Sequence, residues 1–105
     1  MIKGVKRLAK HYVSFADDYA TLLEDLKINP RLGTDLGGGL RKIRMRITSK
    51  GKGKSGGARV LTFTVMATVD ETEINLLYIY DKAERSSITA NEIEELLRKN
   101  GFSRE

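Results

Sequence analysis

The chain has no cysteine, no tryptophan, one histidine and one proline in 105 residues. Without cysteine there is no disulfide, no thiolate nucleophile and no cysteine-ligated zinc. The lone histidine, with no cluster of acids beside it, leaves a metal without a donor set, so neither metal nor cofactor is expected. No apolar run nears the roughly 20 residues of a membrane helix, and the start has no signal-peptide core. A soluble cytoplasmic protein with no membrane partner is the expectation. The absence that matters most is local: no Asp or Glu stands between Leu36 and Val69.

That acid-free segment carries Arg41, Lys42, Arg44, Arg46, Lys50, Lys52, Lys54 and Arg59, whereas from Asp70 onward nine acids oppose five bases. The formal charge of +5 is therefore concentrated in one third of the chain. Such a block suits a surface that meets a polyanion. A merely solvating basic face is the ordinary alternative, but soluble surfaces usually intersperse the two signs.

At 40% hydrophobic and 31% charged residues, the chain has globular composition, and its length predicts one domain over residues 1–105. Val5, Leu8, Ala9 and Tyr12 recur at helical spacing and predict a helix over 3–12. Ser14 is placed to cap a second helix, with Asp17 and Asp18 favouring its positive end. Phe15, Tyr19, Leu22, Leu23 and Leu26 mark its apolar face, and Asn29-Pro30 ends it. His11 lies beside the apolar stripe of the first helix and reads as a surface residue.

Gly33 and Gly37-Gly38-Gly39 punctuate a turn. Ile43, Met45 and Ile47 then alternate with Lys42, Arg44 and Arg46, the period of a half-buried strand with cations on one face. A strand is predicted around 59–69, a turn at Asp70-Glu71-Thr72, and a third strand over 74–80, apolar on both faces and so expected at the centre of the sheet. Thr89 and Glu92 form a capping box, with Ile88 and Ile93 as its staple. The last helix runs to Asn100, and Gly101-Phe102 suits a Schellman close. The order is ααβββα: an α+β fold with two N-terminal helices, an antiparallel sheet of three to four strands and a C-terminal helix.

The stretch Ser49-Lys50-Gly51-Lys52-Gly53-Lys54-Ser55-Gly56-Gly57-Ala58-Arg59-Val60 has the composition of a phosphate loop. Its Gly53-Lys54-Ser55 matches the second half of a Walker A motif, but position 48, where the first glycine belongs, is Thr48. A strand follows rather than the helix whose N-terminus would face the phosphates. A nucleotide is thus a poor fit.

The pieces together resemble the RelE/HigB-type toxins of the RelE/ParE toxin–antitoxin superfamily. The residues that carry the likeness are Asn29-Pro30 and Gly33 after two helices, Lys42-Ile43-Arg44, Gly53-Lys54-Ser55-Gly56-Gly57-Ala58-Arg59-Val60, Leu76-Leu77-Tyr78-Ile79-Tyr80-Asp81-Lys82, and Ile88-Thr89. The resemblance spans essentially the whole chain. It implies a ribosome-dependent endoribonuclease that cuts mRNA during translation without metal, silenced by an antitoxin encoded beside it. Two rivals remain: a non-catalytic RNA- or ribosome-binding module, such as a decayed toxin, and a gyrase-poisoning member of the same superfamily.

RNA can be cut by its own 2′-hydroxyl, given a base, positive charge for the phosphorane oxygens and an acid for the leaving oxygen. Lys52 and Lys54 lie close in sequence, and mutual repulsion would depress one of them toward a general base. The planar fork of Arg59 suits a phosphate clamp. By strand parity Arg59 shares a face with Leu61 and Phe63 and is expected at the rim of that face, or paired with an acid of the last helix. Lys82 is expected near the same sheet end as an acid or a second clamp. Arg41, Lys42, Arg44, Arg46 and Lys50 are candidate backbone contacts. Tyr80 is a candidate base-stacking platform, though a tyrosine there is more often core.

Overall fold

The computed structural model describes residues 4–48, 57–66, 70–85 and 87–102. Two helices, α1 (Val5–His11) and α2 (Phe15–Ile28), precede strands β1 (Thr34–Gly37), β2 (Leu40–Met45), β3 (Ala58–Met66) and β4 (Thr72–Asp81), and α3 (Ala90–Lys99) closes the chain. The strands form one antiparallel sheet in the order β1-β2-β3-β4. This is the expected α+β architecture, with a short first strand added before the lysine–arginine strand.

The alternation along β2 explains its two-sided role. Ile43 and Met45 point into a core with Leu8, Phe15, Leu22, Leu26, Val60 and Ile79, beneath α1 and α2. Leu40, one parity away, joins Leu61, Leu77, Leu96 and Leu97 in a second core beneath α3. Burying each such side chain contributes about 1.5–3 kcal/mol, so each face of the sheet is held by its own helix layer.

Helix α3 begins and ends as its sequence dictates. Thr89 Oγ1 accepts from the Glu92 N–H (3.2 Å), and Glu92 Oε1 accepts from the Thr89 N–H (2.9 Å). At the other end Phe102 N donates to Leu97 O (2.8 Å) and Gly101 N to Arg98 O (3.1 Å), with Gly101 at φ 83°. That is a Schellman close.

Two expectations are corrected. The strand over 74–80 is not central: β4 lies at the edge of the sheet among the described residues. Its two apolar faces arise from α1 packing on one side and α3 on the other, which covers an edge strand as fully as a central one. Ser14 stands at the N-cap of α2 but does not cap it; its hydroxyl donates to Asp18 Oδ2 (2.7 Å). Asp18 also accepts from Thr48 N (2.8 Å) and Thr48 Oγ1 (2.7 Å). Burial pushes the Asp18 carboxyl up, but the hydrogen bonds from Ser14 and Thr48 outweigh it and hold the carboxyl below its usual range. Asp18 therefore clasps the segment after β2 to α2.

The β3–β4 ladder carries a bulge. Leu61 pairs with Tyr78 but Thr62 pairs with Leu76, leaving Leu77 as the extra residue. Ile74 and Leu76 face α1 and α2, whereas Leu77 and Tyr78 both face α3. An added residue reverses the face of everything beyond it, because side chains alternate with period two. The bulge thereby sends Tyr80 to the same face as Arg59, its partner on β3.

Candidate nucleic-acid interface

Helix α3 covers only part of its face of the sheet. Leu40, Leu61, Phe63 and Leu77 lie beneath it. Further along the same face the cross-strand rows become Lys42–Leu61–Tyr78 and Arg44–Arg59–Tyr80. Apolar chemistry under the helix thus gives way to cationic chemistry beside it. There the surface sinks into a depression of about 480 Å³ lined by Gly33, Thr34, Lys42, Arg44, Arg59 and Lys82. No carboxylate lines it among the described residues.

Arg44 and Arg59 stand directly opposite each other on neighbouring strands. Like charges so placed repel, at a cost of roughly 0.2–1 kcal/mol relative to neutral pairs. Arg59 was expected at the rim; it is instead 8% exposed, with Nη1 donating to Ala58 O (3.3 Å). β3 is flanked by strands on both sides, which sinks the stem of Arg59 into the sheet. A buried cation facing a second cation is a poor arrangement for stability and a good one for an arriving anion.

Gly33 forms the wall where the chain enters β1. Its φ is 99°, and a Cβ there would stand 2.7 Å from Lys42 O. Only glycine combines that conformation with so close an approach. Gly57 (φ 76°) plays the matching part before Arg59, since a Cβ would meet Met45 O at 2.5 Å.

Lys82 enters the depression from the turn after β4. Its N–H donates to Gly57 O (3.1 Å), and Glu84 N and Arg85 N donate to Asp81 O (3.0 and 3.2 Å). Asp81 is 3% exposed; Oδ1 accepts from Ala83 N (2.9 Å) and Oδ2 from the Tyr12 hydroxyl. Tyr80 is buried, its ring lying 5.7 Å beneath the guanidinium carbon of Arg85. Arg85 is fixed by Glu92 Oε1 (2.7 Å) and Ser87 O (2.9 Å). Neither Arg85 nor Gly33 is singled out by sequence as part of the site. The Asp81–Lys82–Ala83–Glu84–Arg85 run, which clusters charge immediately after a strand, was the available signal for Arg85.

The other sequence candidates are placed as follows. Lys42, Arg44, Arg59 and Lys82 converge in the depression. Arg41 is on the opposite parity, donating to Arg31 O (3.0 Å) and Gly33 O (3.3 Å), with Asp35 at 3.8 Å. Arg46 is exposed along the groove between α2 and β2, near Asp18 and Asp25. Lys50, Lys52 and Lys54 lie outside the described residues.

The sequence of the chain matches one protein-family model over most of its length. Residues 20–101 fit the model of the RelE toxin of the RelE/RelB toxin–antitoxin system. The matched span includes every described lining residue of the depression.

Proposed function

The chain belongs to the RelE toxin family, and on that premise we propose that the cationic depression grips the backbone of mRNA while the protein, as a HigB-like toxin in the cytoplasm, cuts it on the ribosome. The observation that carries this reading is the Arg44–Arg59 opposition in an acid-free depression. A phosphate between them replaces repulsion by two charge-assisted contacts.

In this reaction the 2′-oxygen attacks the adjacent phosphorus as the bond from phosphorus to O5′ breaks. The products are a 2′,3′-cyclic phosphate and a 5′-hydroxyl. One proton leaves the 2′-hydroxyl for a base, and another is delivered to O5′. Lys52 or Lys54 serves as the base in this scheme. Arg59 and Arg44 balance the charge that gathers on the phosphorane oxygens, the role that prearranged donors perform best. Lys82 acts as the acid or as a further clamp, and Lys42 holds the neighbouring phosphate. No step calls for a metal.

Toxins of this family are paired with an antitoxin. A cognate partner from an adjacent gene, acidic enough to seek the same depression, completes the proposal. The test is to induce the protein in cells and map new mRNA 5′ ends. Cuts in phase with codons, absent in the Arg59→Ala variant, are the expected result. Growth arrest with DNA damage and intact mRNA would replace this reading with gyrase poisoning. RNA binding with neither effect would leave a non-catalytic module.

A further inference from the structure

Helix α1 reaches across the molecule to the turn that presents Lys82. Tyr12, just beyond the last turn of the helix, donates its hydroxyl hydrogen to Asp81 Oδ2. Earlier in the chain, within α1, Arg7 makes a two-pronged contact with Glu84, Nε to Oε1 at 3.1 Å and Nη2 to Oε2 at 2.8 Å. Residues 81 and 84 are thus both tied to α1, and the intervening Lys82 is carried between them.

We propose that the part-buried Tyr12–Asp81 pair is a positioning device that aims Lys82 into the cationic depression. The inference deepens the site reading above and rests on it.

The geometry supports the pair as the determinant rather than the surface contact. Asp81 is 3% exposed and lies on the face of the sheet toward α1 and α2, opposite Ala58. Its side chain spends one oxygen on Tyr12 and the other on Ala83 N, while its carbonyl receives Glu84 N and Arg85 N. The backbone on the C-terminal side of Lys82 is therefore shaped by Asp81 itself. On the N-terminal side Lys82 N is held by Gly57 O. With both flanks fixed, the lysine stem leaves the backbone in a direction it cannot choose freely. The Arg7–Glu84 pair is largely exposed, and exposed ion pairs hold geometry weakly.

Loss of the tyrosine hydroxyl removes that donor from Asp81 Oδ2, so the tie of the 81–85 turn to α1 rests on the exposed Arg7–Glu84 contact. Lys82 then samples orientations away from the depression. Misplacement of a reacting group by about 1 Å can cost about 100-fold in rate, so partial loosening should cost about tenfold.

The experiment compares Tyr12→Phe, Lys82→Ala and the double variant. One measurement is cleavage of a defined mRNA on translating ribosomes. The other is binding of a 2′-O-methyl oligoribonucleotide, which lacks the attacking hydroxyl, across a range of salt. Lys82→Ala should lower the cleavage rate and remove one phosphate contact, flattening the log–log salt slope by about 0.7. Tyr12→Phe should lower cleavage about tenfold and flatten the slope in the same sense. In the Lys82→Ala background Tyr12→Phe should change neither. Asp81→Asn, which keeps one acceptor oxygen for Ala83 N and turns an amide N–H toward the Tyr12 oxygen, should be milder than Asp81→Ala. All assays run well below the thermal midpoint of each variant, recorded by circular dichroism, so that a loss of fold is read separately.

If Lys82→Ala matches the parent in both measurements, the site reading falls and takes this proposal with it. If Lys82→Ala is impaired while Tyr12→Phe is not, only the positioning role is overturned. A Tyr12→Phe defect that multiplies the Lys82→Ala defect in full also overturns it, because the hydroxyl would then act elsewhere than through the lysine.

Discussion

Arg44 and Arg59 occupy directly paired positions on β2 and β3, with their side chains on the sheet face that α3 leaves uncovered. The pair joins an exposed guanidinium to a buried one. The two guanidiniums repel each other, and an arriving anion, or the removal of one of them, relieves that repulsion.

Arg44→Gln should therefore stabilise the free protein while weakening RNA binding. The expected gain is about 0.2–1 kcal/mol at low ionic strength, the range for a cross-strand pair. It should shrink as salt screens the repulsion. Denaturant titrations at two salt concentrations measure it. No gain at low salt would show that the charge of Arg59 is already balanced by another group.

RNA affinity should be steeply salt-dependent. Each neutralised phosphate of a single strand contributes a log–log slope of about −0.7, so Lys42, Arg44, Arg59 and Lys82 together give about −3. Titrating the oligoribonucleotide against the intact chain checks this. A slope near zero would mean that the depression does not hold the backbone.

Gly33→Ala tests the wall. The residue would have to keep φ near 99° with its Cβ 2.7 Å from Lys42 O. Left-handed strain in a non-glycine residue costs of order 1–3 kcal/mol, and the contact with β2 adds to it. The thermal midpoint should fall, and binding should fall further than stability because Lys42 is displaced. A neutral variant would show that the entry to β1 is not under this constraint.

Stability should decline at both pH extremes for identifiable reasons. The hydrogen bond from Arg85, helped by the Thr89 N–H, lowers Glu92 from its ordinary 4.5 to about 2. The carboxylate's contribution is thus complete above the unfolded value and lost as the pH falls from about 4.5 toward about 2. Tyr12 runs the other way: hydrogen bonding to Asp81, then burial, raises it from 10.0 to about 12. Its contribution is complete below pH 10 and lost as the pH climbs toward about 12. Urea midpoints across pH should slope in the acid window for the parent and less for Glu92→Gln. In the alkaline window Tyr12→Phe should lack part of the parent's slope.

Co-expression with the product of the adjacent small gene should give a stable complex and relieve growth inhibition. Charge complementarity to the depression predicts fast association that slows with salt. A chain that is abundant, monomeric and harmless when expressed alone would contradict this.

Several features were legible in the sequence because they close within a few residues. The Thr89–Glu92 capping box and the Gly101–Phe102 close are local hydrogen-bond circuits, and both are present. The alternation of Ile43 and Met45 with Lys42 and Arg44 fixed which side of β2 would be cationic, whatever its neighbours. The acid-free block was equally plain, and it supplies three of the four cations in the depression. Ser14 was less legible. Its hydroxyl is taken by Asp18, whose other partner, Thr48, arrives from thirty residues away.

What tertiary structure alone decided is which of these cations meet. Parity along β4 would put Tyr80, and by extension Lys82, on the side of Ile74 and Leu76, toward α1 and α2. The bulge at Leu77 reverses that side, and a bulge is settled by how two strands pair rather than by either strand's own pattern. The same pairing buries Arg59 between β2 and β4 and sets it against Arg44, while Arg41, one residue from Lys42, turns away to the carbonyls of Arg31 and Gly33. Sequence determined the chemistry of each strand face, because alternation is a property of one chain segment. The site required register between segments, and register is fixed only when distant strands compete to bury their apolar sides.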